Sequence, residues 1–377
     1  MAVRHGYGKI AGADALVFAY DTGDTRNSYK GEPTENVVND PTPSSAWGIS
    51  NYNSTSTRSY GVDEDGNPML IIDVTSVGSG YPRSTGPFLL STITGTFSTS
   101  FEAKAATNGI NIALKIYENG STKVSNTANL TTEWQRFTFD NQSTGFTLDR
   151  PYFNPVNNGT YYIRKIQIEA KSHSTPYVNG TRSVSGSLFD LTGNSSVDLS
   201  NVSFDSNADI DLDGTDDYIE TADSSLLDLT TDMSFEFVVN ADSSQGNLYP
   251  RLIDKSIYLI HITQTSPFTI AQNITTSGGL RQTALGSAFT AGEYTHIVTT
   301  YDGRYGQIFV NGDLKYTRDF STELACNTNS TSVRIGGDGS TNRPLNGQLP
   351  ISKIYNRVLS AAEVQSNYRH YKNRFGI

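Results

Sequence analysis

The sequence predicts an all-β protein built from two antiparallel β-sandwiches, with a short α-helix near its C-terminal end. The length of 377 residues exceeds what one ordinary hydrophobic core holds and indicates about two domains. The 21 Tyr and 17 Phe, together with many Ser and Thr, favour strands over helices. Clear helical periodicity is confined to one segment that starts at position 360.

Charge and apolar content exclude several classes of function. The formal net charge is −10, whereas a nucleic-acid binder needs a basic face and an anionic membrane attracts basic proteins. The only cysteine is Cys326, so the chain cannot form an internal disulfide. The apolar run Ala15–Tyr20 is too short for a signal peptide, and no run approaches the ~18 residues of a membrane span. We therefore expect a soluble protein made in a cytosol, without nucleic-acid partners or membrane insertion.

Most of the chain is predicted to form short strands, because apolar and aromatic runs alternate with turns of Gly, Asn, Asp and Ser. Asn311 and Gly312 lie between two runs and predict a type I′ hairpin, in which both central residues have positive φ. Between Tyr161 and Ile168 apolar residues occupy both odd and even positions, so the facing of this strand stays open. The clearest predicted strands are Met69–Val74, Gly95–Lys104, Ile110–Tyr117, Trp134–Asp140, Tyr161–Ala170, Ser234–Asn240, Ile257–Ile262, Tyr294–Tyr301, Gln307–Val310, Asp313–Arg318 and Ser332–Gly336.

The predicted helix begins with a capping box. Ser360 and Glu363 have the spacing at which the Ser hydroxyl accepts from the third helical amide and the Glu reaches back to the cap amide. Val364, Tyr368 and Tyr371 then recur at intervals of four and three, which gives one apolar stripe. The helix is expected to run to about position 372.

Six segments after Ser187 form a pattern through their order and spacing: Leu212–Ile219, Met233–Phe237, Tyr294–Gly303, Ile308–Gly312, Arg334–Gly337 and Ile354–Glu363. With these segments, the stretch from Ser187 onward resembles the laminin-G-like, concanavalin-A-like jelly roll that is common in bacteriophage structural proteins. In that family a first strand precedes a turn such as Asp190–Asn194, and here the corresponding strand is expected far upstream, at Ala15–Asp21.

The intervening stretch contains the segments Phe101–Lys104, Thr132–Phe137, Ile166–Glu169 and Thr175–Arg182. Through these segments it resembles a jelly roll of the carbohydrate-binding-module type. We therefore predict one sandwich inserted in the other: an N-terminal arm at 1–14, a laminin-G-like domain at 15–34 plus 182–377, and the inserted sandwich at 35–181. The alternative is two tandem domains preceded by a short N-terminal arm.

Sugar binding would use aromatic faces stacked on C–H surfaces, with polar side chains bonding the hydroxyls. For each candidate, packing or loop anchoring is the competing role, because Tyr is often partly buried in sandwiches. The candidates, all within the predicted insert, are Trp47, Tyr52, Tyr60, Tyr81, Tyr152 and Phe153.

One acidic stretch has the spacing of a calcium-binding loop. Asp209, Asp211, Asp213 and Glu220 fit the EF-hand pattern. The flanks read as strands rather than helices, and Asp216 stands where an apolar residue belongs, so an EF-hand is not expected. Calcium held in another geometry by Asp209, Asp211, Asp213 and Asp216 is one interpretation, and solvated turn residues are the other. No further cofactor is predicted.

The resemblances imply a virion surface protein of a tailed bacteriophage, located in a fibre, tail or capsid appendage and released by lysis. Its predicted role is attachment to host-surface glycans, with other virion proteins as partners. The alternatives are a capsid or tail decoration protein that stabilises the particle, and a polysaccharide-degrading enzyme. No glycosidase, hydrolase or phosphate-loop motif is recognisable, so catalysis is not expected. No coiled-coil heptads are present, and the pattern leaves homo-oligomerisation open.

Overall fold

The computed structural model describes residues 4–377 except 6–7, 10, 78–80, 87–88, 90–91, 119–120, 143–149, 205–209, 247–248 and 340–342. At 4–5, 8–9, 52, 81–83, 117–118, 121 and 123 only the backbone is described. The chain divides into two compact units. The host unit consists of Met1–Glu32, Val184–Asp205 and Asp209–Ile377, and the insert unit consists mainly of Pro33–Ser183.

Strands dominate both units, and every strand predicted above overlaps an observed one. Short 3₁₀ turns span Ala13–Ala15 and Val184–Gly186. In chain order the elements are β1 (Arg4–His5), β2 (Gly8–Lys9), β3 (Leu16–Asp21), β4 (Thr34–Glu35), β5 (Gly48–Tyr52), β6 (Thr55–Val62), β7 (Pro68–Ser76), β8 (Tyr81–Thr85), β9 (Phe97–Ala105), β10 (Ile110–Glu118), β11 (Ser121–Leu130), β12 (Gln135–Gln142), β13 (Arg150–Pro155), β14 (Gly159–Glu169), β15 (Thr181–Arg182), β16 (Val197–Asp198), β17 (Leu212–Asp213), β18 (Ile219–Thr221), β19 (Asp232–Ala241), β20 (Arg251–Asp254), β21 (Tyr258–Ile262), β22 (Phe268–Thr276), β23 (Gly279–Phe289), β24 (Thr295–Asp302), β25 (Tyr305–Val310), β26 (Asp313–Asp319), β27 (Val333–Ile335), β28 (Asn346–Tyr355) and α1 (Ala361–Phe375).

The host unit is a sandwich of two antiparallel sheets. One sheet has the order β16-β18-β27-β20-β21-β22-β23, and the other has the order β17-β28-β19-β24-β25-β26 with β3 also paired to β28. Phe18, Phe235, Tyr258 and Tyr301 belong to the core cluster that both sheets supply, and all four are fully buried. The apolar inner faces of the two sheets therefore cover each other, as sheet-on-sheet packing requires.

Strand β3 shares a sheet with strands from the far end of the chain. It pairs antiparallel with β28, in a register that places Ala19 opposite Lys353. All six residues of β3 are buried, which is the pattern of a strand covered on both faces. The segment that resembles the first strand of the jelly roll thus completes a sheet whose other members lie after position 211.

The insert unit is a second sandwich, made of two five-stranded sheets with the orders β11-β10-β13-β8-β5 and β12-β9-β14-β7-β6. Tyr161 and Ile163 of β14 face its core, and so do Ile166 and Ile168. A bulge at Lys165, whose φ is +49°, shifts the register between Arg164 and Gln167. Before the bulge the core-facing residues are at odd positions, and after it they are at even positions. This change explains the mixed alternation that the sequence left open.

Two local predictions are confirmed at the atomic level. Helix α1 starts with the capping box, since Ser360 accepts from the Glu363 amide and Glu363 bonds the Ser360 amide. It ends at Phe375, a few residues later than expected, and Gly376 caps it with φ +71°. Asn311 and Gly312 have φ of +49° and +82°, as a type I′ turn requires.

Helix α1 covers the outer face of the second host sheet, where it encloses a polar network. Glu236, His296 and Lys353 are fully buried there. His296 Nε2 lies 2.8 Å from Glu236 Oε1, and Asn367 of the helix donates to Glu236 Oε2 over 3.2 Å. Burial alone raises the pKa of Glu236, but Lys353, His296 and Tyr355 outweigh that effect and lower the pKa to about 2.

The architecture confirms the predicted fold class, an all-β chain of antiparallel sandwiches with one short C-terminal helix. Within the described parts of the chain, no helix combines the length and apolar character that crossing a membrane requires.

Candidate functional site

The structure places most of the aromatic candidates in one sheet of the insert unit. Trp47 immediately precedes β5, Tyr52 ends β5, and Tyr81 begins β8. The Cα atoms of Tyr52 and Tyr81 are register partners, and their side chains lie outside the described part of the structure. Tyr152 and Phe153 are neighbours in β13 of the same sheet, whereas Tyr60 lies in β6 of the other sheet.

Trp47 and Phe153 are core residues. Both side chains are fully buried, and their ring centroids are 5.5 Å apart. The Trp47 indole Nε1 donates to the carbonyl oxygen of Asp40 over 3.2 Å. Neither ring presents a face to a ligand. In the structure these two residues therefore pack in the core, the alternative to sugar binding that the sequence left open.

Tyr60 has an anchoring contact. Its hydroxyl donates to the Trp47 carbonyl oxygen over 2.6 Å, and the Arg58 guanidinium lies 5.5 Å from its ring centroid. The ring is only partly exposed. These contacts hold the segment before β5 against β6, which is the loop-anchoring role that the sequence left as an alternative.

Tyr152 lies on the outer face of the sheet, beside a cleft of about 560 Å³. Because side chains alternate along a strand, the inward Phe153 places Tyr152 outward. Tyr152 is the register partner of Thr85 in β8, which in turn pairs with Gly48 in β5. The residues lining the cleft are Asn39, Ala46, Gly48, Ile49, Thr85, Gly86 and Arg150.

Two cationic residues flank Tyr152. Arg150 lies two positions earlier on the same strand and therefore on the same face. Lys115 of β10 is the direct register partner of Tyr152 on the other side. Among the residues lining the cleft, Arg150 is the one with a charged side chain. The arrangement joins an aromatic ring, hydroxyl and amide groups, and positive charge on one face.

Two glycines shape this cleft: one leaves space above the sheet, and the other lets the backbone pack closely against the core. A Cβ at Gly48 would meet only the Thr85 carbonyl oxygen, at 3.8 Å. A Cβ at Gly86 would lie 2.9 Å from both Pro151 and the Trp47 ring, closer than real Cβ contacts allow. Gly86 therefore lets the backbone approach the buried Trp47, while Gly48 leaves space above the sheet.

The acidic turn of the host unit gathers only part of the predicted metal-ligand set. Carboxylate oxygens of Asp213, Asp216 and Asp217 lie within 4.8 Å of one another. Asp211 is exposed and outside this group, and Asp209 lies outside the described residues. The flanks are strands β17 and β18, so the turn is not an EF-hand, as expected. Calcium binding at this turn stays a prediction.

Asp217 is the member of the acidic group that the sequence did not single out. It is 1% exposed and accepts hydrogen bonds from the backbone amides of Ser203, over 2.7 Å, and Asp213, over 3.0 Å. Burial raises the pKa of its carboxyl group, although these hydrogen bonds act in the opposite direction. Asp217 thus links the turn to Ser203, fourteen positions earlier in the chain. The local sequence pattern does not predict this contact.

A second aromatic feature of the insert unit was misjudged from the sequence. The resemblance of Thr132–Phe137 to carbohydrate-binding modules implies core packing for Trp134, but this residue precedes β12 and is only partly buried. The Arg164 guanidinium lies 4.1 Å from its ring centroid and the Lys104 ammonium 5.0 Å. Both cations therefore lie within cation–π distance of the Trp134 ring.

Both units are antiparallel β-sandwiches, and the host unit is similar to a lectin-like jelly roll. Residues 213–365 match the model of the Concanavalin A-like lectin/glucanases superfamily. This match supports the laminin-G-like resemblance found in the sequence, over less than half of the chain. No curated protein matches the sequence.

Parts of the chain are similar to solved structures at low identity. The binding domain of botulinum neurotoxin serotype G is 16% identical, with a TM-score of 0.41 over 50% of this chain and 49% of that one. The binding domain of Paraclostridial Mosquitocidal Protein 1 is 16% identical, with a TM-score of 0.41 over 49% and 50%. The Ruminococcus gnavus IT-sialidase CBM40, bound to alpha2,3 sialyllactose, is 17% identical, with a TM-score of 0.31 over 37% and 83%. This chain spans about half the length of the first two structures.

Proposed function

We propose that this chain is a carbohydrate-binding attachment protein, and that the insert unit contacts the saccharide through the cleft beside Tyr152. The observation that carries the proposal is the row of register partners Gly48, Thr85, Tyr152 and Lys115, next to Arg150 and a cleft of about 560 Å³. Ligand sites are usually concave and combine apolar surface with a few convergent polar groups. The superfamily match of the host unit gives independent support.

The chemistry of the cleft favours an acidic saccharide. The Tyr152 ring offers a flat face for the C–H surface of a sugar, and Thr85 and Asn39 supply hydroxyl and amide groups. Arg150 and Lys115 add positive charge on both sides of the ring, and guanidinium groups bind carboxylates through paired hydrogen bonds. A single shallow cleft binds weakly, so attachment would depend on many copies acting together.

The place of action that we propose is the surface of a tailed-bacteriophage particle. This part of the proposal depends on the resemblance to bacteriophage structural proteins in the sequence. Labelling intact particles with an antibody against the insert unit, followed by electron microscopy, tests it. Signal on fibres, tails or capsids supports the assignment, and particles that carry none of the protein contradict it.

Binding is tested with biotinylated protein assembled on streptavidin and applied to a panel of acidic and neutral glycans. We expect acidic glycans to be retained, Tyr152→Ala to weaken retention about tenfold, and Arg150→Ala to narrow the difference between acidic and neutral glycans. The matched control is Tyr316→Ala, which removes a host-unit tyrosine that is 37% exposed. Equal retention by wild type and Tyr152→Ala would contradict the proposed site.

Hydrolysis is the competing activity, because the superfamily description covers glucanases as well as lectins. The same glycans are therefore incubated with the protein and examined for new reducing ends. We expect none, and time-dependent release of reducing ends would replace attachment with catalysis as the function.

A further inference from the structure

We propose that the host unit carries a second saccharide site, specific for neutral sugars, in a cleft at the C-terminal end of α1. The cleft measures about 700 Å³, within the usual range for small-molecule sites. It forms where β23 ends, β24 begins and the β25–β26 turn approaches the last turn of the helix. None of its residues belongs to the insert unit.

Two aromatic rings form one wall of this cleft. The centroids of Tyr294 and Phe375 are 4.9 Å apart with their planes inclined by 52°, and both rings are partly exposed. The Tyr294 hydroxyl contacts Gln348 Oε1, and the Phe375 ring packs 6.2 Å from the buried Tyr371 ring. Because both rings are held by these contacts, they offer a preformed surface for the C–H face of a sugar.

A buried acceptor without a partner lies in the same cleft. Asn240 Oδ1 is buried, and no described residue donates a hydrogen bond to it. Buried polar atoms of folded proteins are normally paired, so such an atom in a cleft indicates a group that a ligand or water completes. The neighbouring Asn311 is fixed, since its Oδ1 accepts from the His296 amide over 3.0 Å. A sugar hydroxyl supplies the donor that Asn240 lacks.

The charge of this cleft favours a different class of saccharide from the one proposed for the insert unit. Glu293 is the charged residue among the lining side chains, and none of them is Lys or Arg. An acidic sugar would bring its carboxylate next to Glu293 without a cation to compensate. A neutral saccharide avoids this repulsion and still uses the aromatic wall and the amide groups. One chain would thus present two sites of opposite charge preference.

The test is a titration of the full chain with a panel of neutral oligosaccharides of glucose, galactose, mannose and N-acetylglucosamine, with trigalacturonic acid as the acidic probe. Binding is followed by saturation-transfer NMR and calorimetry. Phe375→Ala removes the aromatic wall, and Thr290→Trp fills the cleft from an exposed position without deleting core contacts. We expect each variant to weaken binding of a neutral probe about tenfold.

Two controls separate this site from the cleft of the insert unit. Tyr316→Ala removes an exposed host-unit tyrosine outside the cleft, and Tyr152→Ala disables the insert-unit site; both should leave neutral binding unchanged. The proposal is overturned if no neutral probe binds, if both cleft variants bind like wild type, or if Tyr152→Ala abolishes neutral binding. None of these results bears on retention of acidic glycans by the insert unit, which Tyr152→Ala tests separately.

Discussion

Replacing the buried carboxylate of Glu236 by an amide is expected to destabilise the host unit by about 3–5 kcal/mol. Glu236 is fully buried between β24, β28 and the C-terminal helix. It accepts from Asn367 Nδ2 over 3.2 Å, and its oxygens lie 2.8 Å from His296 Nε2 and 3.6 Å from Lys353 Nζ. In Glu236→Gln only one oxygen remains, and the buried Lys353 ammonium loses its counter-charge.

The magnitude follows from two independent arguments. Removing one partner of a buried ion pair typically costs about 3–5 kcal/mol, because the other charge stays buried and uncompensated. The pKa of Glu236, lowered from 4.5 to about 2, corresponds by linkage to about 3 kcal/mol of stability at neutral pH. The two figures agree, although one starts from the loss of a buried ion pair and the other from the lowered pKa of the carboxyl group.

The assay is differential scanning calorimetry of wild type and Glu236→Gln. Both tryptophans, Trp47 and Trp134, lie in the insert unit, so the transition that tryptophan fluorescence does not follow belongs to the host unit. A loss of about 3–5 kcal/mol lowers the melting temperature of a domain of this size by about 6–20 °C. The matched control is Glu220→Gln, which breaks a partly exposed 2.8 Å pair with Arg334 and should cost at most about 1 kcal/mol. Equal shifts for the two variants would refute the reasoning.

Three further predictions concern stability. The folded pKa of Glu236 lies below its ordinary value, so the stabilisation that its carboxylate gives the host unit is complete above pH ~4.5 and is lost as the pH falls towards 2. Measuring the host-unit transition at decreasing pH should show this loss of stability, and the loss should be smaller in Glu236→Gln. Ser360→Ala removes the helix cap and should cost about 1 kcal/mol in urea unfolding, whereas Ser360→Asp should retain most of the stability. Gly347 has φ +134°, and an added Cβ would lie 2.3 Å from the Asn240 carbonyl oxygen, so Gly347→Ala should lower the free energy of unfolding by about 3 kcal/mol. Gly193 has φ +73° but open space around it, so the control Gly193→Ala should lower the free energy of unfolding by about 1 kcal/mol.

Local patterns predicted what depends on neighbouring residues. The capping box at Ser360 and the hairpin turn at Asn311 are set by side chains within four positions, and both appear as predicted. The long apolar runs that form β19 and β24 also predict strands from their local sequence alone. By contrast, β6 was not predicted, because it exposes mostly Ser, Thr and Arg and resembles a loop in composition.

Burial of charge could not be predicted, because it depends on an element far away in sequence. Glu236 alternates with Phe235 and Phe237 as if it faced solvent. Helix α1, more than a hundred positions later, covers that face and converts it into an interior. The same limit applies to Asp217, whose partner Ser203 belongs to a different turn.

The candidate aromatics show a third limit. Composition marked Trp47, Tyr152 and Phe153 alike, and strand alternation placed Phe153 inward and Tyr152 outward. Only the register across β5, β8, β13 and β10 brings Thr85 and Lys115 to Tyr152. The sequence therefore indicates aromatic candidates, whereas the residues that surround Tyr152 are set by strand pairing.

The two crossings between the units have a consequence for how such a chain can diversify. In the host unit the Lys30 amide donates to the Ser187 carbonyl oxygen over 2.8 Å, and in the insert unit Thr34 is the register partner of Arg182. Exit and return of the polypeptide are therefore adjacent, and everything between them forms a cassette with its own core. Recombination at these two points could exchange one inserted sandwich for another while every strand of the recipient sandwich keeps its partners.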